Sequence, residues 1–476
     1  MPHLKGVAHI NNMSHLINKL QFEVNCPDEE LALNLRYNFS LTYQEQIMEV
    51  VDRVCSKYVD DKEWLRIDKL EIDLGKFSPQ GFNTRFSEVF LAKFEQAFQQ
   101  KLAGISLVQR QQARQLSYAE MWQHFLLKGS LPWWVDETEL NLQEVTAQLL
   151  QEQPAAVLDF LQAQRAHPHL WQRLALQFSN EIKAQIITLF PALVNAQSLL
   201  QEWQQTISAR ATPALAAVSA EKIVNLVLES APLLLQATAD KNVVWQVFAK
   251  HLPYLFIITP EQESSVVEPL LVTLAIEKGL QLPGATTTAV KKDALLPGSL
   301  FQTDYNTHAE EEQYTVRYAG VILLAAFLRP FFTTLELWDG KEWKSKSACY
   351  RAVHLLKYLC TGQQQAPEYS LVMEKICCGL PLDEPVPLDM ELTEKETAES
   401  TLLLESIIGH WKMLKNTSVN GLRETFLKRD GILSRQEKNW RLQVEQKTLD
   451  VLLDSIPWGF STISLPWNGY LIFVEW

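Results

Sequence analysis

The chain has 476 residues, which at roughly 100–200 residues per domain predicts two to four domains. Hydrophobic residues make up 47% and charged residues 21%, so the chain has enough apolar surface for large cores, and disorder of the whole chain is excluded. The 56 Asp and Glu outnumber the 43 Lys and Arg, and a net charge of -13 argues against nucleic-acid binding through phosphate contacts.

The first 80 residues predict a strand, a helix and a second strand. Apolar and polar side chains alternate over residues 16–24, which is the pattern of a half-buried strand. A helix capped by Asp28 is predicted to continue to about Tyr58. In WLRIDKLEIDLG, residues 64–75, the apolar positions change parity near Asp68. We therefore predict a strand with a bulge there, which keeps both apolar sets on the core face.

Helical patterns follow for about 200 residues. Phe occupies every fourth position from Phe82 to Phe98, an aromatic stripe that has to be buried. A capping box of Ser117 and Glu120 predicts a helix start, and Gly129 predicts its end. Five Pro residues at intervals of 19 to 23 each predict the start of a helix of about five turns, and hence an irregular helical stack. They are Pro168, Pro191, Pro213, Pro232 and Pro253.

Residues 281–313 show no periodicity and are rich in Gly, Pro and Thr, so we predict a linker or a long loop. A helix is then predicted from about Val316 to Leu328, with a break at Pro330. Cap residues and Pro mark three further helices. Ser347 caps one that ends at Gly362, Pro367 opens one that ends before Gly379, and Thr393 with Glu396 forms a capping box.

Strand patterns return after Gly431. Trp440, Leu442 and Val444 alternate with polar residues, and ISLPWNGYLIFVEW is typical of a closing hairpin. The fold class predicted is mainly α with small β elements. Its parts are a strand-helix-strand N-terminal module over residues 1–80, a helical stack over 81–280, the linker over 281–313 and an α+β C-terminal module over 314–476.

No membrane span or secretory signal is predicted. The longest apolar stretch, Tyr318 to Leu328, is about half of the ~20 residues that a spanning helix needs. The start, MPHLKGVAHINNMSHL, lacks the continuous apolar region of a signal peptide. Six Cys are too few for a disulfide scaffold, so we expect the chain to fold in a reducing cytoplasm.

No motif of enzyme or cofactor chemistry is present: the sequence has no GxxxxGK[ST], GxGxxG, GxSxG or HExxH. We therefore predict neither an enzyme nor a cofactor. Asp68, Glu71 and Asp73 resemble paired catalytic carboxylates, but they alternate with apolar residues and lie beside Arg66 and Lys69. A solvated strand face with charge pairs explains them better.

The strongest metal candidates are Cys349, His354, Cys360, Cys377 and Cys378. No CxxC pair is present. On one helix Cys349 and Cys360 would lie about 16 Å apart, too far for one zinc ion to bridge. We interpret the Cys residues as small buried hydrophobes and the His as a helix-surface residue, and predict no metal site.

The 14 Trp residues give the best indication of an interface. Several lie in turns beside Pro or Gly, where aromatic side chains often anchor protein–protein contacts. The last strand also has apolar residues on both faces, as expected if a partner covers one of them or adds a strand at an edge, or if the helical module of the same chain covers it. The candidate interface residues are Trp133, Trp134, Trp458, Trp467, Leu471, Phe473 and Trp476.

Three regions of the sequence resemble the tape measure proteins of bacterial contractile injection systems, which are phage-tail-like particles. The first is HLINKLQFEV with WLRIDKLEIDLGKF, and the second is LLKGSLPWW. The third comprises AGVILLAAFLRPFF, YRAVHLLKYLCTG, VMEKICCGLPLDEPVP, HWKMLKNTSVNGLRETFLKRDG and LPWNGYLIFVEW. Residues 150–310 contain no such landmark.

This resemblance implies a non-enzymatic assembly protein that sets or nucleates inner-tube length at the baseplate. Its partners would be baseplate and inner-tube proteins, with homo-oligomers left open. It implies a bacterial cytoplasmic location and incorporation into the assembled particle. An extended ruler and a compact baseplate factor both remain open, as do two other classes: a generic α-solenoid scaffold or adaptor, and a hydrolase using His354 or His410 with a Cys.

Overall fold

The computed structural model describes residues 3–12, 15–25, 44–59, 65, 67, 69–105, 107–137, 140–210, 216–217, 220–236, 240–257, 268–281 and 313–476. These residues group into two compact units. One spans residues 1–121 with 133–136, and the other spans 122–132 with 137–476. The chain is mainly α with small β elements, as predicted. The four-part division of the chain stays a prediction.

The first unit begins with an antiparallel hairpin, β1 (His3–Asn12) and β2 (His15–Asn25). The predicted first strand is confirmed as β2, whereas β1 was not predicted. Helices α1 (Gln44–Tyr58) and α2 (Pro79–Ala103) follow. The predicted end of α1 at Tyr58 is confirmed, and its predicted cap, Asp28, lies outside the described residues.

The core of the first unit is formed by the apolar face of α1 and the aromatic stripe of α2. Phe86, Phe90, Phe94 and Phe98 are buried, and successive rings stack with centroids 5.6 to 5.9 Å apart. Burial of the stripe is thus confirmed for these four residues; the side chain of Phe82 is not among those described.

The second strand predicted for this unit is wrong within its described part. Residues 69–75 adopt no regular hydrogen-bonded structure. Leu65 and Ile67 nevertheless pack on the same core as Leu70, Ile72 and Leu74, so both apolar sets face inward as predicted. The alternation of apolar and polar residues predicts which side chains are buried. A strand also needs a neighbouring backbone to pair with, and this pattern does not identify one.

Helix α3 (Leu107–Lys128) contradicts the helix start predicted at Ser117, because the helix runs through that residue without interruption. Its last residues belong to the second unit. Gly129 ends the helix as predicted. Its φ is +74°, and its N–H donates to the carbonyl of Phe125 at 2.8 Å.

The helical part of the second unit is built from short helices. They are α4 (Leu142–Glu152), α5 (Pro154–Ala163), α6 (Pro168–Gln177), α7 (Asn180–Thr188), α8 (Pro191–Arg210), α9 (Ala220–Glu229), α10 (Ala231–Gln236), α11 (Lys241–Lys250), α12 (Leu252–Leu255) and α13 (Glu268–Lys278). A two-residue pair, β3 (Ala216–Ala217) with β4 (Phe256–Ile257), lies among them.

The prolines begin helices, but the helix lengths differ from those predicted. Pro168 and Pro191 are first residues, and Pro232 and Pro253 are second residues. Only α8 reaches five turns, whereas α10 has 6 residues and α12 has 4. Pro213 and nearly all of the predicted linker lie outside the described residues.

The C-terminal part contains five strands and several short helices. The strands are β5 (Gln313–Val316), β6 (Gly431–Gln436), β7 (Asn439–Val444), β8 (Thr462–Ser464) and β9 (Leu471–Glu475). The helices are α14 (Ala325–Thr334), α15 (Lys346–Thr361), α16 (Val372–Cys377), α17 (Glu394–His410) and α18 (Val419–Leu422). Short 3₁₀ helices cover Ala319–Leu324, Glu368–Ser370, Lys412–Leu414 and Thr448–Ser455, and a π turn covers Arg423–Leu427.

The sheet has the strand order β5-β6-β7-β9-β8. Strands β7 and β9 are parallel, and every other neighbouring pair is antiparallel. The predicted strand at Trp440–Val444 and the predicted closing hairpin, β8 with β9, are confirmed.

Several helix limits predicted for this part are confirmed. Gly362 and Gly379 have positive φ just past α15 and α16, and the capping box at Thr393 forms with Glu396. Ser347 is wrong as a cap, because Ser345 accepts the Ala348 N–H at 3.0 Å. The helix predicted from Val316 to Leu328 is also wrong: a strand and a 3₁₀ helix precede α14, and Pro330 lies inside α14.

Among the described residues, no helix is both long and apolar enough to cross a lipid bilayer.

Candidate functional site

The most unusual feature of the second unit is a buried network of charges around Arg173. This side chain of α6 has no solvent exposure, yet it carries a permanent charge. Its Nε donates to Glu368 Oε1 at 3.0 Å, its Nη1 to the Leu126 carbonyl at 2.8 Å, and its Nη2 to the Asp383 carbonyl. All three partners are distant in sequence, so one side chain joins three segments of the chain.

Lys375 adds a second cation to the same carboxylate. Its Nζ donates to Glu368 Oε1 at 2.7 Å and to the carbonyls of Leu382 and Glu384 at 2.9 and 2.8 Å. Burial lowers the pKa of Lys375, and the charge of Glu368 opposes that shift. Every ammonium proton therefore has an acceptor, which is the condition for keeping a buried charge. We name Arg173, Glu368 and Lys375 the Arg173 network.

Polar contacts on either side of the network attach α6 to residues 368–388. Gln177 Nε2 donates to the Val386 carbonyl at 2.5 Å, and Gln177 Oε1 accepts the Glu368 N–H at 3.0 Å. The Leu388 N–H donates to the Leu176 carbonyl at 3.2 Å. The helical part and the C-terminal part are thus joined by both side chains and backbone.

Gly129 is required where α3 approaches this network. A Cβ at this position would collide with the side chains of Glu368 and Arg173, and the backbone is left-handed there. Sequence reasoning identified Gly129 only as a helix end and missed the network. Arg173 and Glu368 are 195 positions apart, so no local pattern connects them.

A second buried carboxylate, Glu374, lies close to the network in sequence but has no comparable partner. Neither of its carboxylate oxygens accepts a hydrogen bond from another described residue. Burial raises its pKa to about 7, and the Lys357 charge partly opposes this. The Lys357 ammonium lies 3.5 Å from the ring centroid of Tyr318 and donates to the Ser370 carbonyl at 2.8 Å. Glu374 also lines a cavity of about 10 Å³, enough for one water molecule.

The residues considered as candidate metal ligands lie in the hydrophobic core of the second unit. Cys349, Cys360, Cys377 and Cys378 are buried free thiols, and burial raises the pKa of each. The placement of His354 on a helix surface is wrong: it is buried, and its Nε2 lies 2.8 Å from the Pro387 carbonyl. The described residues contain no group of three His, Cys, Asp or Glu side chains arranged to hold a metal ion.

The acidic residues of the predicted second strand are solvated where they are described. Lys69 and Glu71 form an ion pair of 2.5 Å with both side chains more than three-quarters exposed, and Asp73 accepts the Gly75 N–H at 2.8 Å. Arg66 and Asp68 lie outside the described residues.

The predicted interface residues of the closing strand occupy the outer face of the sheet. In β9, Ile472 and Val474 face the core, whereas Leu471 is half-buried and Phe473 is 36% exposed. The expectation that this strand forms a sheet edge is wrong, because β9 pairs with β7 on one side and β8 on the other. This position pairs both edges of β9, but it leaves Phe473 on the outer face exposed.

Three predicted interface Trp residues are half-buried and bonded to their own chain. The indole N–H of Trp458 donates to the Leu323 carbonyl at 3.0 Å. That of Trp467 donates to the Cys377 carbonyl at 2.7 Å, and that of Trp476 donates to Asp450 Oδ2 at 3.0 Å. Their polar atoms are satisfied, so each presents only part of its ring to solvent.

The other two predicted Trp residues, Trp133 and Trp134, belong to the first unit. Trp133 is 42% exposed and Trp134 is half-buried. Within the second unit, Leu471 and Phe473 lie on the same face of β9. The set predicted from turn chemistry is therefore spread over both units.

Comparison with protein families gives a match over nearly the entire chain. The family model described as contractile injection system tape measure protein matches residues 14–476, which is nearly the entire chain. The chain belongs to this family. Members are structural components of the injection particle, so the role implied by the resemblance is confirmed at that level. No curated protein and no solved structure gives a significant match.

Proposed function

We propose that this tape measure protein is a non-enzymatic assembly factor that acts in its folded form at the baseplate, where it nucleates the inner tube and sets its length. The observation that supports this best is the Arg173 network. It attaches α6 to residues 368–388 inside one compact unit.

A chain that measured the tube as a stretched ruler would have to separate these segments. Breaking a buried ion pair costs roughly 3–5 kcal/mol, because a charge is left without a partner in a poorly solvating interior. The apolar faces of α6 and α8 would lose their burial as well. A folded factor incurs neither cost.

The buried positions of the candidate nucleophiles support a role without catalysis. A Cys nucleophile acts as a thiolate, and burial disfavours that form for Cys377 and Cys378. His354 is committed to a backbone carbonyl. His410 is exposed and lies against Phe327 with ring centroids 6.2 Å apart.

Partners under this proposal are the baseplate and inner-tube proteins of the particle, and the chain assembles with them in the bacterial cytoplasm and stays in the finished particle. A homo-oligomer at the baseplate is compatible with this role. The first requirement is simple: a strain lacking the chain should make no normal sheathed particles.

A disulfide lock tests whether the folded form is the active one. The Leu388 N–H bonds to the Leu176 carbonyl at 3.2 Å, so the two residues are direct neighbours that an engineered disulfide can join. We expect Leu176→Cys/Leu388→Cys, oxidised in a strain with an oxidising cytoplasm, to support particles of normal length. The single variant Leu176→Cys is the control. Failure of the oxidised double variant, with recovery after reduction, would contradict the proposal.

A further inference from the structure

A buried acid, Glu374, and the two contacts of a buried cation, Lys357, border the same small cavity. The cavity, of about 10 Å³, is lined by Glu374, Tyr318 and Ser370 among others. Lys357 lies against the last two, because its ammonium donates to the Ser370 carbonyl at 2.8 Å and lies 3.5 Å from the centroid of the Tyr318 ring. Neither carboxylate oxygen of Glu374 accepts a hydrogen bond from Lys357.

Burial makes the charges of these two side chains depend on each other. Lys357 is 5% exposed and Glu374 is not exposed at all. Burial raises the pKa of Glu374, which the Lys357 charge opposes, and it lowers the pKa of Lys357, which the Glu374 charge opposes. Each group therefore favours the charged form of the other. The four-carbon stem of a lysine is flexible, so its ammonium can change acceptors while the backbone stays in place.

The Ser370 carbonyl belongs to the turn that holds the Arg173 network. The 3₁₀ helix Glu368–Ser370 contains the central carboxylate of that network. Its backbone bonds are local: the Ser370 N–H donates to the Pro367 carbonyl and the Leu371 N–H to the Glu368 carbonyl, both at 3.0 Å. The bond from Lys357 instead attaches this turn to α15. Hydrogen bonds within a 3₁₀ turn have poorer geometry than those of an α-helix, so a contact from outside contributes more to its order.

We propose that Lys357 is a proton-controlled tether for the turn Glu368–Ser370. While Glu374 is protonated, Lys357 bonds to the Ser370 carbonyl; when Glu374 ionises, the ammonium moves to the Glu374 carboxylate and releases Ser370. The new ion pair replaces the bond that is lost, because an ionised carboxylate is a stronger acceptor than a carbonyl. Proton release thereby loosens the segment that carries Glu368. The tether acts within the chain and is independent of the proposed function.

The other charged groups near Glu374 already have partners. Arg317 and Glu137 also line the cavity and form an ion pair of 3.1 Å. The charge of Glu137 raises the pKa of Glu374, but less than burial does. Lys375, next to Glu374 on α16, belongs to the Arg173 network and donates its protons there. Among these groups, Lys357 is thus the cation that remains to pair with an ionised Glu374.

The remaining titratable side chains around the cavity keep their charge state between pH 6 and 8. Burial raises the pKa of Tyr318 and of Tyr369 to about 12. Burial lowers the pKa of His354 on α15, so this side chain stays neutral. Burial also raises the pKa of the thiols on α15 and at the end of α16, which are Cys360, Cys377 and Cys378.

Amide hydrogen exchange of the full chain at pH 6 and pH 8, corrected for the intrinsic exchange rate, tests the tether. Protection of residues 368–372 is measured relative to that of β6 and β7, which removes any change in global stability, since no residue of these strands lines the cavity. We expect this relative protection to fall about tenfold at pH 8, the size of one hydrogen bond from a charged donor.

Two variants fix the tether in its two positions. Glu374→Gln should keep the turn protected at both pH values, and Lys357→Met should leave it weakly protected at both. Glu405→Gln alters an exposed carboxylate and should respond as the wild type does.

Equal loss of protection in the turn and in β6 and β7 of the wild type would overturn the tether, as would a turn whose relative protection is the same at both pH values. A Lys357→Met chain that keeps the wild-type response to pH would also overturn it, because the response would then not pass through Lys357.

Discussion

Glu368 neutralises both cations of the Arg173 network. Among the described residues it is the only carboxylate that accepts hydrogen bonds from Arg173 and Lys375, and its side chain has no solvent exposure. We expect Glu368→Gln to lower the free energy of unfolding by about 3–5 kcal/mol, because two buried cations lose their counter-charge. Urea denaturation followed by circular dichroism measures this.

The matched control for Glu368→Gln is Glu475→Gln. Glu475 accepts two hydrogen bonds from Arg441, at 2.7 and 2.6 Å, but its side chain is 52% exposed. Solvent screening should limit its effect to about 1 kcal/mol or less. Similar losses in the free energy of unfolding for both variants would show that the stabilisation by the Arg173 network does not depend on its burial.

Glu374 makes stability depend on pH near neutrality. Its pKa is about 7 in the folded chain against a usual 4.5, so between these values the folded chain holds a proton that the unfolded chain has lost. Stability should therefore fall as pH rises through this window, by about 3 kcal/mol in total. Glu374→Gln should flatten this dependence and exceed the wild type in stability at pH 8.

Exposed Glu405 provides the comparison for this pH effect, and Glu405→Gln should retain the wild-type profile. The charge of Lys357 lowers the pKa of Glu374 and that of Glu137 raises it, and both are weaker causes than burial. A wild-type stability that rises between pH 5 and 7 would show that Glu374 is not the dominant group.

At the scale of elements, the helix limits predicted at Gly129, Gly362 and Thr393 are confirmed, those predicted at Ser117 and Ser347 are wrong, and the strand predicted over residues 64–75 does not form in its described part. The caps at Gly129, Gly362 and Thr393 act through neighbouring backbone, so a few residues suffice to predict them. Residues 65–75 show the opposite case. Their alternation predicted burial, but whether a strand forms depends on a partner that alternation does not identify.

Polar contacts between residues distant in sequence also could not be predicted from local sequence patterns. Arg173 lies in a stretch without any family-like landmark, yet it joins the segments around Leu126 and Glu368, which lie in or beside two of the landmarks. The sequence around the three charged residues of the Arg173 network contains no pattern that predicts their burial. Only the folded topology shows that they meet.

The central position of β9 predicts that the C-terminal sheet requires it for folding. Because β9 pairs on both sides and buries Ile472 and Val474, removing Leu471–Trp476 should destroy the cooperative unfolding of the C-terminal sheet. Phe473→Thr changes only the exposed face and should leave the thermal midpoint within a few degrees. A stable truncated chain would show that β9 is dispensable for folding.

For the whole molecule, the question is whether the length of the chain determines the length of the tube. Removing residues 191–212 is a poor test, because α8 buries Leu193, Leu200 and Trp203 completely. Loss of that helix should unfold the core and abolish assembly without revealing any length dependence. An insertion that leaves the core intact is more informative.

We therefore expect a helical insertion of about 20 residues between positions 281 and 313 to leave tube length unchanged. Such a segment adds about 30 Å at 1.5 Å per residue, a step visible in electron micrographs if the chain were a ruler. In a folded factor the insertion should change neither the Arg173 network nor the C-terminal sheet, because the residues of both lie outside positions 282–312. A flexible Gly/Ser insertion of equal length controls for rigidity. Tubes longer by a constant step with the helical insertion would refute the folded-factor proposal and establish that the chain measures the tube directly.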